Sequence, residues 1–441
     1  MPSIRKTPFA VLLPVFLQAC ALQMNTVSTL DGRLEQSTPE EVLLTLQSLD
    51  PPERDLGQYL LNTGLLESIS GDFEGANRDL QSAKDILNSL QATSVSENLG
   101  AAMVNETLRS YVGSPSERVL LHVLMSINYL MLDDLDAARV EVLQADVLMK
   151  ELAREDEPIG QLASAHYISG LVYELNGELD SAMISYRKAA NIMALRNMRT
   201  PTSLQSSLLG LSRYLGLDDE HEKYREQFDL ALDPPAADSA EIIVIYWDGV
   251  VTGKRGKTIS VWVPSLNQAV SLALPYYPPS NYIRKSFDLS LAGQHHRTET
   301  VEDIEALSRA DLNDESAAIY AMTLARMVSK YALVKSASQQ NNNLGLLLNI
   351  AAMLSETADI RSWNLLPSSI QVARFALPAG EYSLPYPHYS RSPQGELVKT
   401  ELVVSAGEKI VLFVPDVSQR IFSYTRTARA RPNSREIKAV E

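Results

Sequence analysis

The 441-residue chain spaces few of its reactive residues for chemistry. Cys20 is the sole cysteine, which excludes an internal disulfide, a four-cysteine zinc site and any further thiol nucleophile. Glu117 and His122 stand five apart on one predicted helix, so a carboxylate–imidazole dyad there would be poorly aimed. Helix capping and packing suit them better. His221-Glu222 lacks the second His of a zinc-binding helix. His295 and His296 are adjacent, so in a strand their rings would point to opposite faces. Gly256-Lys257-Thr258 resembles the end of a phosphate loop. That loop needs Gly where Val251 stands, and a helix where a strand is predicted. Gly-x-Ser-x-Gly does not occur. Asp359, Arg361 and Trp363 read as a buried ion pair beside an aromatic. Carboxylate pairs suited to sugar hydrolysis stay open, because acids are abundant and their separation is invisible in a sequence. The expectation is a binding protein with no metal site and no cofactor.

The start of the chain has the parts of a secretory leader. Arg5 and Lys6 precede an apolar run from Phe9 to Leu17, and Cys20 follows. The run is too short to span a bilayer, which takes about 20 apolar residues. Pro14 also interrupts it. Leu17-Gln18-Ala19-Cys20 resembles the lipobox of bacterial lipoproteins. The resemblance implies cleavage between Ala19 and Cys20, a covalent lipid on Cys20, and, with Ala21 rather than Asp next, transfer to the outer membrane.

Formal charge is −15, and removing the leader takes away Arg5 and Lys6 and no acid, which leaves −17. So acidic a chain is a poor partner for nucleic acid, where affinity rests on neutralising phosphates. It should not adhere electrostatically to anionic lipid either.

Residues 20–52 read as a lipid-anchored tether, with a helix starting near Pro39-Glu40-Glu41 under a Ser37 or Thr38 cap. Residues 53–233 read as helix after helix with a recurring pattern. Gly71-Asp72-Phe73 precedes Ala76, Leu80 and Ala83; Asp133-Asp134-Leu135 precedes Ala138, Val142 and Ala145; Gly177-Glu178-Leu179 precedes Ala182, Tyr186 and Ala189. The spacing of 3, 4 and 3 marks one helix face. Upstream, Gly64, Ser126 and Gly170 would let the preceding helix approach closely. The pattern resembles the tetratricopeptide repeat, departing at Glu67 where an aromatic is usual. Ser203–Leu215 and Asp219–Leu232 form a fourth, weaker pair. On the repeat template the concave face carries Val123, Ile127, Leu130 and Met131, then Tyr167, Leu171 and Glu174. That face is expected either to hold a partner segment or to pack on this chain's own C-terminal domain.

Pro234-Pro235 marks a boundary, after which the period changes. Glu241–Trp247 and Thr258–Val263 are predicted to pair as a hairpin. A strand at Ser286–Leu291 and a helix at about Glu315–Ser336 follow. The polar turn Gln339–Asn343 then leads into the apolar Leu344–Leu354, read as a buried helix. Strands are expected at Ser369–Leu377, Leu397–Val404, Lys409–Val414 and Arg420–Thr425. The predicted fold is α+β: an N-terminal α-helical tetratricopeptide-like solenoid, then a β-sandwich-like domain over 240–425 with a helical hairpin inserted at 315–356. A disordered tail at 426–441 closes the chain.

Tyr111-Val112-Gly113-Ser114-Pro115-Ser116-Glu117-Arg118-Val119-Leu120-Leu121-His122 and Asp359-Ile360-Arg361-Ser362-Trp363, with Leu366-Pro367, Ala373-Arg374 and Leu377-Pro378, resemble an uncharacterised family of bacterial tetratricopeptide outer-membrane lipoproteins. The resemblance implies a lipid-anchored scaffold on the periplasmic face of the outer membrane that holds an envelope protein. The alternative is a cell-wall protein that binds or hydrolyses peptidoglycan through its C-terminal domain.

Overall fold

The computed structural model describes residues 30–34, 36–92, 109–153, 160–228, 238–264, 267–340, 357–386, 398–418 and 420–427. Ala19, Cys20 and the rest of the leader lie outside the described residues. So do Pro234-Pro235, Leu344–Leu354 and the tail from residue 428.

The chain is mixed helix and sheet, with helices first and strands after them. Much of the segment read as a tether is folded. Helix α1 (Leu30–Leu34) buries Leu30 and Leu34. Helix α2 (Pro39–Gln47) buries Val42 and Leu46, and starts with the reciprocal Thr38–Glu41 capping box. Helices α3 (Leu56–Ser70) and α4 (Phe73–Ala92) form the first pair, and α5 (Pro115–Met131) and α6 (Leu135–Leu152) the second. Helices α7 (Ala163–Asn176) and α8 (Leu179–Leu195) follow, then α9 (Thr202–Tyr214) and α10 (Asp218–Phe228). Each of the first three turns needs one left-handed residue, supplied by Gly71, Asp133 and Gly177.

Of the twelve residues of the 3-4-3 pattern eleven are buried, and Leu179 is half-buried against the same core. The small residues upstream do what their size suggests. A Cβ on Gly64 would lie 2.7 Å from Leu80 Cγ, and one on Gly170 would lie 2.6 Å from the Tyr186 ring. Glu67 is half-buried near Asp72 and Asp79. Burial first, then these two neighbours, push its carboxyl up to about 7.

The strands form one five-stranded mixed sheet and three hairpins. Strand β1 (Ser239–Asp248) is central, antiparallel to β7 (Ser369–Pro378) and parallel to β10 (Glu408–Pro415). Strand β6 (Glu299–Asp303) extends the sheet beyond β7, and β11 (Phe422–Thr427) beyond β10. The expected pairing of Glu241–Trp247 with Thr258–Val263 does not form. Strand β2 (Arg255–Val263) pairs instead with β3 (Gln268–Tyr276). The reason is burial: β1 is apolar on both faces, as a central strand must be, whereas β2 alternates.

Two small hairpins, β4 (Asp288–Leu291) with β5 (Gln294–Arg297) and β8 (Gly380–Tyr386) with β9 (Val398–Val404), complete the strands. They share a core with Ile242, Val244, Tyr246, Ile410 and Leu412 on one face of the sheet. The other face carries Ile243, Ile245, Trp247, Val372, Val411 and Phe413, and is continuous with the helical core. The β layer is therefore a sheet held between hairpins and helix pairs, where a β-sandwich-like domain was expected. The long helix α11 (Ile304–Gln340) starts eleven residues before the predicted Glu315 and packs on β2–β3 through Leu324, Met327 and Val328.

Gly170→Ala should cost about 1–3 kcal/mol by forcing a methyl into Tyr186, while Gly210→Ala, which meets nothing within 4 Å, should gain about 0.5–1 kcal/mol. Urea denaturation reads both. Glu67 is neutral in both states below about pH 4.5. From there to about pH 7 the unfolded chain ionises first, so stability falls as pH rises. Glu67→Gln should flatten that slope, matching wild type at pH 4 and exceeding it in melting temperature at pH 8.

Candidate functional site

The residues read as a partner groove are buried inside the chain. Val123, Ile127, Leu130, Tyr167, Leu171 and Glu174 are all under 9% exposed, and Met131 packs partly buried against the same core. They share one core with Ile243, Trp247, Val411 and Phe413 of the sheet, and Glu174 meets Arg374 and Lys409, so this face adjoins the chain's own C-terminal half. Helical periodicity marks the face that will be buried; it does not say what buries it.

Charged side chains close the seam between the halves. Arg374 on β7 reaches Glu174 on α7 through two nitrogens, at 2.5 Å to Oε1 and 2.8 Å to Oε2. Its Nε donates to Glu241 on β1 at 2.6 Å, and its Nη1 to Ser207 Oγ at 2.9 Å. Lys409 on β10 bridges Glu174 and Glu241. The Tyr186 hydroxyl donates to Glu174 Oε2 at 2.9 Å. Burial would push the Glu174 carboxyl up, but Arg374 and Lys409 outweigh it and hold the group well below the usual carboxylate range.

A second lock joins the two stretches that carry the family resemblance. Glu117, at the third position of α5, accepts from Tyr111 Oη at 2.5 Å, the Ser114 amide at 2.7 Å and the Trp363 amide at 2.6 Å. Gln58 Nε2 donates to the Ser362 carbonyl at 2.7 Å and to Asn364 Oδ1 at 2.8 Å. Arg361 pairs with Asp359, with Asp55 at 2.8 Å, and with the Arg109 carbonyl at 2.8 Å. Asp311 of α11 accepts from the Ser116 amide at 3.1 Å and its hydroxyl at 3.0 Å, which places a carboxylate against the positive start of α5. Burial pushes the Asp311 carboxyl up. Segment 359–368 is thus gripped by the first two helix pairs much as a bound peptide would be.

A third lock sets Glu302 of β6 against the Ser164 amide at 3.1 Å and against Arg196. The Glu299 carboxylate accepts from the Thr202 amide at 2.6 Å.

The catalytic alternatives separate. His122 faces Glu141 at 2.6 Å, and Lys84 lies 3.0 Å from the same carboxylate, so Glu117 and His122 have different partners. His296 stacks on Phe375 with centroids 3.8 Å apart, while His295 meets Ser290. Lys257 lies over the Tyr276 ring, within strand β2. Among the described residues no group of three or more His, Cys, Asp or Glu is placed to hold a metal ion. The Glu117 carboxylate accepts from three donors, an arrangement suited to holding chain segments in place.

Sequence reasoning passed over Glu241, Glu302, Asp311 and Lys409 and used Arg374 only as a motif residue. Their signal was available: a charge in an otherwise apolar strand, such as Arg374 in Ser369–Pro378, must find a partner if the strand is buried.

These features define a stack of helix pairs sealed by a mixed sheet. No family model and no curated protein sequence matches the chain. Similar solved structures include a Rap protein complexed with competence and sporulation factor, at 16% identity and TM-score 0.30, covering 46% of this chain and 48% of that one. MamA from AMB-1 shows 13% identity and TM-score 0.30 over 49% of this chain and 94% of that one. BtubC from P. vanneervenii shows 16% and 0.29, over 45% and 74%. The chain spans about half the length of the Rap chain it matches. All three are tetratricopeptide-like repeat proteins, and scores this low do not define a common fold.

Arg374→Met should cost about 3–5 kcal/mol, since it leaves Glu174 buried without its main partner. Trp247 and Trp363 lie in the seam core. Their fluorescence and the far-UV helix signal should therefore shift together in urea, with the slope unchanged. Separate midpoints would mean that the halves unfold independently.

Proposed function

We propose that the chain is an outer-membrane lipoprotein on the periplasmic face, held by a covalent lipid on Cys20, that acts as a binding scaffold in envelope assembly. One observation carries this reading: the sole cysteine stands directly after a basic start and a short apolar run, in Leu17-Gln18-Ala19-Cys20. Other features agree with it. Among the described residues no helix is long and apolar enough to cross a membrane, so the lipid would be the means of attachment. Nine residues separate Cys20 from buried Leu30, at most about 35 Å of extended chain. That length would keep the body close to the bilayer. The stacked helix pairs supply a broad, rigid surface, and the hydrogen-bonded carboxylates favour binding over catalysis. With the concave face covered, partner recognition falls to the outer faces. Protein partners fit this arrangement better than peptidoglycan does.

Metabolic labelling with an alkyne fatty acid, followed by fractionation and crosslinked pull-down, tests the reading. Wild type should carry label, sediment with outer membrane and recover specific envelope proteins. Cys20→Ser should lose label and membrane association. Unlabelled, soluble wild type would overturn the anchor. Release of muropeptides from purified peptidoglycan by the folded protein would favour the cell-wall reading instead.

A further inference from the structure

The concave side of the helix pairs is spent on the sheet, but the outer side carries an apolar patch. On α6, Val140, Leu143 and Val147 are 49%, 46% and 47% exposed, at spacings of three and four that place them on one line. Ile184 on α8 is 50% exposed, and Leu132, which caps the end of α5 just before α6, is 37% exposed. Two ion-pair groups frame the patch. Arg139 binds Glu178 at the start of α8 at 2.5 Å, and Asp146 holds Lys188 at 2.6 Å and Lys150 at 2.7 Å. Leu143 lies between Arg139 and Asp146 in sequence, and Ile184 between Glu178 and Lys188. The Arg139–Glu178 and Asp146–Lys188 bridges therefore link α6 to α8 on either side of Leu143 and of Ile184 in sequence.

The bases of this frame, Arg139, Lys150 and Lys188, are each paired with an acid within it. Asp133, Asp134 and Asp136 at the start of α6 and Asp180 at the start of α8 are all exposed, and none is in an ion pair among the described residues. The patch therefore has a negative rim concentrated at one end. Such a rim repels anionic lipid and attracts a basic partner.

We propose that the α6–α8 outer face is a docking surface for an amphipathic helix with an apolar stripe and Lys or Arg at the end lying over Asp133, Asp136 and Asp180. The inference rests on the scaffold reading and moves its partner surface from the concave to the convex side. The line from Val140 to Val147 is about 10 Å long at helical rise, the reach of two turns of a partner helix.

The test uses the full folded protein and two fluorescent helical peptides with the same leucine stripe, one flanked by Lys and one by Glu. The Lys peptide should bind at least about tenfold more tightly at low salt and weaken as salt rises. Leu143→Asp and Ile184→Asp should each weaken it about tenfold or more with an unchanged melting temperature. Asp136→Asn with Asp180→Asn should reduce the salt dependence. Leu44→Asp, a change at an exposed apolar residue on α2, should leave binding intact. Equal affinity for both peptides, or Lys-peptide binding unaffected by Leu143→Asp, would overturn the proposal. So would a wild-type dimer that Leu143→Asp dissolves, which would make a second copy the occupant. Capture of anionic vesicles through these residues would also overturn it. If neither peptide binds while Cys20-dependent envelope crosslinks persist, the docking face is wrong and the scaffold reading stands.

Discussion

Strand β1 runs through the middle of the sheet with nearly every side chain out of water. A strand of that kind is unstable until both faces are covered. Hairpins β4–β5 and β8–β9 cover one face. The inner side of the helix pairs covers the other, and the two halves of the chain consequently share one core. A solenoid with a free concave groove and a separately folded β domain would leave both surfaces wet, at roughly 25 cal/mol for each Å² of apolar area.

Burial of this kind forces the treatment of every charge in the seam. Arg374 sits mid-strand and cannot reach water, so Glu174 and Glu241 must meet it, and Lys409 balances the second acid. Such networks add little net stability over apolar packing, but one left unmatched is costly. They therefore work against misplacement: a shift of β7 by one residue would turn Arg374 to the hairpin face, away from Glu174. Glu117 and Arg361 fix segment 359–368 against the helices by the same logic.

The helical half was legible because its signals are local. The 3-4-3 spacing and the small residues at Gly64 and Gly170 describe contacts within one hairpin, and each appears as read. The Thr38–Glu41 cap was equally local. The sheet was less legible because its pairing is distant. Asp248-Gly249 and the glycines after it suggested a hairpin, yet β1 takes partners more than a hundred residues away. The apolar inner face at Val123, Ile127, Tyr167 and Leu171 was recognisable, whereas its cover depends on tertiary structure that periodicity does not encode.

The parallel pairing of β1 with β10 also fixes an order of events during synthesis. The contacts of the helix pairs with one another are near in sequence and can begin to form as the helices emerge. Strand β10 is made after the helix pairs and after every described strand but β11, and without it neither Lys409 nor Val411 and Phe413 are there to finish the seam. Until it is made, the inner helical face is open and adhesive. A product that stops short of residue 408 keeps that face for good. Completion of the seam therefore doubles as a check that the chain was read past β10, and copies lacking that strand are marked for holding factors and proteases by the apolar surface they cannot hide.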